Sequence, residues 1–222
     1  MKKPKSLKII QVDPLNPRDD HIVKSFQIIK DGGVIVFPTQ YLYGLGADAL
    51  NVEAVDKVFE IKQRSYHKPL LILIPHRQDL KRLVQHVSSA AVHIMNCFWP
   101  GAVTLVFKAK DTVPENLTAN TGKVGIRMPQ HPVALALSRA VGGPLTATSA
   151  NITGDSGCST VSDIDLRISD NVDLILDAGP LKGGTGSTVV DVTIDPPKIL
   201  RDGAIPAKDI FIALEDRQAR LP

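Results

Sequence analysis

The chain has 222 residues, 43% hydrophobic and 22% charged, with a net charge of +3. That is the composition of a soluble globular protein that can bury a core without staples, and one domain is the expectation. Aromatics at 5% argue against a broad base-stacking RNA platform, no apolar run approaches the ~18 residues of a membrane span, and Cys97 and Cys158, outside any C-x-x-C, make no disulfide framework.

Strand-like and helix-like segments alternate along the chain, which argues an α/β fold. The basic start, Met1-Lys2-Lys3-Pro4-Lys5, is not followed by the apolar core of a signal peptide. With cysteine usage that fits a reducing compartment, a cytoplasmic protein is expected. Residues 7–12 read as a short strand. Residues 21–30 read as a helix with Ile22, Phe26 and Ile29 on one face, stopped by Gly32-Gly33. Residues 34–38 are a buried strand, and 43–47 pair near it. Asn51 caps a helix carrying Val52, Val55, Val58, Phe59 and Lys62, and 70–74 is an apolar strand closed by Pro75. Residues 79–87 and 88–98 look helical; 103–108 and 124–127 are strands. Residues 132–141 form a helix with Pro132 in its first turn, and 145–148 form one strand that feeds a turn at Ser149-Ala150-Asn151. Ser162 caps a helix over 163–169, and 172–176 is a strand. Residues 183–187 are a glycine-rich loop; strands at 188–192 and 198–201 and a helix at 208–215 close the set.

The chemistry concentrates at strand and helix ends. A strand that stops on Ser149 and Asn151 presents a hydroxyl, a carboxamide and free backbone N–H groups at the edge where α/β sheets bind ligands. Lys62 and Arg64 end the 51–63 helix; they either complement its dipole or hold an anion. Arg127 and Arg201 each follow an apolar run, as solvated strand ends or as anion ligands. No G-x-x-x-x-G-K-[ST] loop is present, so phosphate would have to be neutralised by side chains, with Lys62, Arg64, Lys68, Arg127 and Arg201 as candidates. No G-x-S-x-G surrounds Ser149, so positioning suits it better than nucleophilic attack. The six histidines show no zinc spacing.

Lys62-x-Arg64 and Ser149-x-Asn151 resemble the K-x-R and S-x-N signatures of the Sua5/YrdC/YciO family, the threonylcarbamoyl-AMP synthases. Gly33–Thr39, Tyr43–Ala49, Lys68-Pro69-Leu70, Trp99-Pro100-Gly101, Gly125–Pro129, Ser187–Asp191 and Leu200–Gly203 agree in order and spacing. The match runs over about residues 20–206. The resemblance implies one YrdC-like α/β domain over 1–222, with a twisted mixed parallel and antiparallel sheet, flanking helices, a basic concave cleft, a short C-terminal helix and tail over 207–222, and no second Sua5-type domain. It implies formation of threonylcarbamoyl-AMP and pyrophosphate from L-threonine, bicarbonate or CO2, and ATP, with Mg2+ carried by the phosphates. The product would feed a tRNA threonylcarbamoyl transferase that makes N6-threonylcarbamoyladenosine (t6A37). Carried over, Lys62, Arg64, Ser149 and Asn151 are the catalytic set. Arg64, Lys68, Lys123, Asn151, Ser159 and Arg201 face ATP, and Tyr41, Arg127, Ser149 and Ser187 face threonine.

Two positions depart from the family pattern, both on the amino-acid side: Tyr41 stands where a Thr is common, and Leu73 where a His is common. Other readings are a paralogue that adenylates a different carbamate, a carbamoyl-AMP enzyme, and a non-catalytic protein that binds tRNA or double-stranded RNA.

Overall fold

The structure, a computed structural model, describes residues 9–218, with side chains to residue 215. The basic residues 1–5, residues 7 and 8 of the first expected strand, and residues 219–222 of the tail lie outside them. In chain order the elements are β1 (Ile9–Gln11), α1 (Asp19–Lys30), β2 (Ile35–Pro38), β3 (Tyr43–Gly46), α2 (Val52–Lys62), β4 (Leu71–Leu73), α3 (Leu80–Leu83), α4 (Ser89–Phe98), β5 (Val103–Lys108) and α5 (Glu115–Thr118). There follow β6 (Lys123–Arg127), α6 (Pro132–Val141), β7 (Leu145–Thr146), β8 (Thr148–Ser149), α7 (Leu166–Ser169), β9 (Leu174–Asp177), β10 (Thr188–Asp191), β11 (Lys198–Arg201) and α8 (Ala207–Gln218). No helix among the described residues is long and apolar enough to cross a membrane.

The fold is mixed α/β, as expected, with its strands divided between two sheets. The first has the order β1-β9-β2-β3-β8, parallel over its first three strands and antiparallel beyond. The second has the order β11-β10-β5-β6-β4-β7, with parallel and antiparallel pairs alternating. The two-residue period of a strand explains how the first sheet is covered. Ile35 and Phe37 of β2 and Leu174 and Leu176 of β9 point to a smaller core with Ile22 and Ile29 of α1 and Val133 and Leu137 of α6. Val34, Val36 and Ile175 point the other way, into the larger core that the second sheet shares. A strand buried on both faces reads as the continuous apolar run seen at 34–37.

Helix ends follow their local chemistry. The Asn51 side chain accepts from Ala54 N at 3.1 Å, and α2 ends with Gln63 in the left-handed region at φ 49°. Ser88 caps α4 in the same way.

Three expectations needed correction. The helix over 79–87 is a tight turn at Arg77–Asp79 and the single turn α3, because Val84 turns extended and pairs with Ala109 while Gln85 N bonds Lys108 O. Ser162 does not cap a helix. Its hydroxyl pairs with that of Thr160 at 2.8 Å, and Asp165 caps the short α7 instead. The strand over 145–148 is two strands in different sheets, β7 on β4 and β8 on β3. Ala147 lies between them and donates its N–H to Leu71 O, while Thr146 Oγ1 accepts from Ala47 N at 2.9 Å. This crossing sews the two sheets together and delivers the Ser149–Asn151 turn at the seam.

Candidate functional site

A cavity of about 930 Å³ opens at that seam, within the roughly 300–1,000 Å³ common for small-molecule sites. Its wall includes Arg64 from the turn after α2, Lys123 and Arg127 from the two ends of β6, and Arg201 from the end of β11. Ser149 and Asn151 line it from the crossing segment. Tyr41 enters from the β2–β3 connection, and Ser187 from the end of the glycine-rich loop.

The arginines are the chemical core. Arg127 is 6% exposed, and its side chain makes no hydrogen bond or ion pair among the described residues; its Nε is buried without a partner. Burial first, then the nearby Arg201 charge, push its guanidinium down to about 10. Arg64 donates from Nε to Lys68 O at 2.9 Å and from Nη2 to Pro69 O at 2.8 Å. Burial, then Arg201, pull its pKa down as well. Arg201 reaches Ser187 O from Nε at 3.2 Å and from Nη2 at 2.6 Å. Among the described residues none of these three guanidiniums has a carboxylate partner. Lys123 differs: its Nζ pairs with Asp191 Oδ2 at 2.8 Å. Of the other carboxylates in the wall, Asp155 faces Arg167 at 3.6 Å, which leaves Asp202 against three arginines. Three cations that repel one another in one hollow make a site for an anion.

Around them the polar groups are tied down. Ser187 Oγ shares a 2.7 Å hydrogen bond with Thr104 Oγ1. Asn151 Nδ2 donates to Ile152 O and Asp155 O, both at 2.8 Å, and its Oδ1 is buried with no partner. The glycine-rich loop is anchored at one end by Gly183 N to Tyr41 O, 2.9 Å, and Lys182 Nζ lies 6.0 Å above the Tyr41 ring. At its other end Gly203 is packed so closely that a Cβ there would meet Ser187 C and Thr188 N at 2.4 Å.

Eight of the expected site residues therefore share one cavity wall: Tyr41, Arg64, Lys123, Arg127, Ser149, Asn151, Ser187 and Arg201. Three do not line it. Lys62 is buried behind the wall, its Nζ held by the main-chain carbonyls of Ser149 and Asn151, the latter at 2.7 Å. Lys68 is exposed on the loop whose carbonyls Arg64 holds. Ser159 sits beside Gly183, its carbonyl accepting from Leu181 N at 2.8 Å. Leu73 is fully buried in the smaller core and is not part of the wall, so its difference from the family pattern falls away from the cavity. Thr104 and Asp191 are site residues that sequence reasoning missed. A lone threonine inside the apolar strand 103–107 and an acid closing the 188–190 run were the available signals.

The chain is similar in sequence and fold to known proteins. The family model for Sua5, YciO and YrdC, described as telomere recombination, matches residues 27–203. A threonylcarbamoyl-AMP synthase of Bacillus subtilis is 37% identical over 199 residues, covering 89% of this chain and 58% of its own. A putative threonylcarbamoyl-AMP synthase of Methanocaldococcus jannaschii is 34% identical over 205 residues, covering 91% and 96%. Pyrococcus abyssi Sua5 complexed with L-threonine superposes with a TM-score of 0.89 at 34% identity, over 93% of this chain and 60% of that one. The chain thus spans little more than half the length of the Bacillus and Pyrococcus relatives.

Proposed function

This chain belongs to the Sua5/YrdC/YciO family, and on that premise we propose that it makes L-threonylcarbamoyladenylate and pyrophosphate from L-threonine, bicarbonate or CO2, and ATP. The observation that carries the reading is the convergence of Arg64, Arg127 and Arg201, without carboxylate partners among the described residues, on one cavity that also holds the Ser149–Asn151 turn. A charge-assisted hydrogen bond contributes about 1.5–3 kcal/mol. Three arginines shared between two substrates therefore supply roughly 5–9 kcal/mol in all before ordering costs.

The chemistry needs no protein nucleophile. The threonine amine adds to CO2, loses a proton and becomes a carbamate. A carbamate oxygen attacks the α-phosphorus as the bond from that phosphorus to the β-phosphate oxygen breaks, and pyrophosphate leaves with the electron pair. Two anions must meet, so alignment and charge stabilisation carry the rate. On this reading Arg64 and Arg201 hold the phosphates, with Asn151 on the nucleotide and Lys123 beside it. Arg127 holds the threonine carboxylate, with Ser149, Ser187 and Tyr41 around the amino acid. Lys68 and Ser159 adjoin the wall from their loops, on the nucleotide side of the cavity. Among the described residues no three His, Cys, Asp or Glu side chains gather as a metal cage. On this reading Mg2+ enters as part of the ATP substrate, where it neutralises the leaving phosphates.

The product is a mixed anhydride, which calls for a transferase that passes the threonylcarbamoyl group to tRNA. The test is pyrophosphate release with ATP, Mg2+, bicarbonate and a panel of amino acids. Threonine-dependent release is expected, and release with some other amino acid alone would replace threonine as the acceptor.

A further inference from the structure

Lys62 is a lysine in an unusual place. It lies seven residues after Val55, on the same core-facing stripe as Val58 and Phe59, and is 1% exposed. Its Nζ donates to Ser149 O and Asn151 O, and its own carbonyl accepts from Thr153 N at 3.0 Å. One residue thus grips the 149–153 segment at three points, yet it is not part of the cavity wall.

A neutral donor could hold the same carbonyls. Burying an ammonium with no carboxylate partner is costly, and among the described residues Lys62 has none. The charges that reach it are Arg64, on the turn after its own helix, and Cys158, on the loop beyond the crossing segment. Cys158 stays a thiol, because burial and then Asp163 push it up. The elements packed on α2, namely α5 and α7, bring Glu115 and Arg167, and neither pairs with Lys62. Burial, then Arg64, push the Lys62 ammonium down to about 7. A buried cation that no described residue balances is balanced once a polyanion enters the cavity on the far side of the turn.

We infer that Lys62 is a positioning residue rather than a catalytic one: from behind the wall its Nζ sets the Ser149–Asn151 turn, and it takes up a proton when a polyphosphate binds. This rests on the anion-binding half of the proposed function and not on the identity of the amino acid. Above about pH 7 the free protein holds Lys62 largely neutral and the complex holds it charged. ATP affinity should then fall by up to about tenfold per pH unit as pH rises through that range.

The experiment is calorimetric titration of the full chain with MgATP at pH 8, in Hepes and in Tris, whose ionisation heats differ. ATP is fully ionised there, so proton uptake belongs to the protein. The wild type should take up about one proton per ATP. Lys62→Arg, permanently charged, should bind without uptake and lose the pH slope. Lys62→Gln, a neutral donor, should bind at least tenfold more weakly at pH 7, also without uptake, with its fold checked by circular dichroism. ATP binding with no proton exchange, or uptake that persists in both variants, overturns the inference and leaves the proposed synthesis standing if product forms. Lys62-dependent uptake with no synthesis from any amino acid does the reverse, and absence of ATP binding overturns both.

Discussion

Replacing Arg127 with methionine should make the resting protein more stable and the enzyme worse. Arg127 is only 6% exposed, and its guanidinium has no hydrogen bond or ion pair among the described residues. Burial, then the nearby Arg201 charge, push its pKa from the ordinary arginine value down to about 10 and raise its acidity constant accordingly. Each tenfold change in that constant is worth about 1.36 kcal/mol, so the charged form costs the native state on the order of 3 kcal/mol. The sign follows from linkage. A cation whose folded value is depressed is a full burden at neutral pH, where both states are charged, and the burden eases only as pH rises from about 10 upward. Methionine keeps the apolar stem and removes the charge. At roughly 2–4 °C per kcal/mol for a chain of this size, the melting temperature without ligand should rise by about 6–12 °C. Threonine affinity should fall by about tenfold to a hundredfold or more, the loss of a charge-assisted contact of about 1.5–3 kcal/mol. Differential scanning calorimetry and threonine titration in the presence of ATP read the two effects. A destabilised variant with unchanged threonine affinity would refute the reasoning, since it would make Arg127 a structural residue.

Arg64→Ala should lower ATP affinity or turnover at least about tenfold, one charge-assisted contact, with an unaltered circular dichroism spectrum; an unchanged rate removes Arg64 from the site. Gly203→Ala places a Cβ 2.4 Å from the Ser187–Thr188 backbone, which must shift at a cost of ~1–3 kcal/mol. Melting should drop by several degrees and turnover with it, and a silent variant would contradict the close packing. Burial pulls the Asp191 carboxyl up, but Lys123 and Thr193 hold it below the ordinary carboxylate value. Its pairing therefore stabilises the fold above that range and is lost as pH falls through it. The melting difference between wild type and Asp191→Asn should shrink from pH 7 toward pH 3, and a constant difference would show that the pair contributes nothing.

Local order was legible where local physics decides it. The apolar run at 34–37, the Asn51 cap and the Pro132 helix start each carry their signal within a few residues. The division into two sheets was not, because β7 and β8 differ only in partners that lie far off in the chain, Ile72 opposite Thr146 and Gly44 opposite Ser149. The extended turn at Val84 has the same origin: pairing with Ala109 overrides helix propensity. Most of the cavity wall could be read from strand and helix ends, but its electrostatics could not. That Lys123 is neutralised by Asp191 while Arg127 stands alone depends on which side chains the fold brings within 3 Å. The position of Lys62 on the Val55–Phe59 stripe already pointed inward; that its Nζ reaches the carbonyls of Ser149 and Asn151 was not legible, since they lie 87 and 89 residues away.

The most direct measurement is mass spectrometry of the nucleotide product formed from ATP, Mg2+, L-threonine and 13C-bicarbonate. Threonylcarbamoyl-AMP that carries the label in its carbamoyl carbon is the outcome this account predicts. An unlabelled threonyl-AMP, or no adenylate at all while ATP binds, would contradict it.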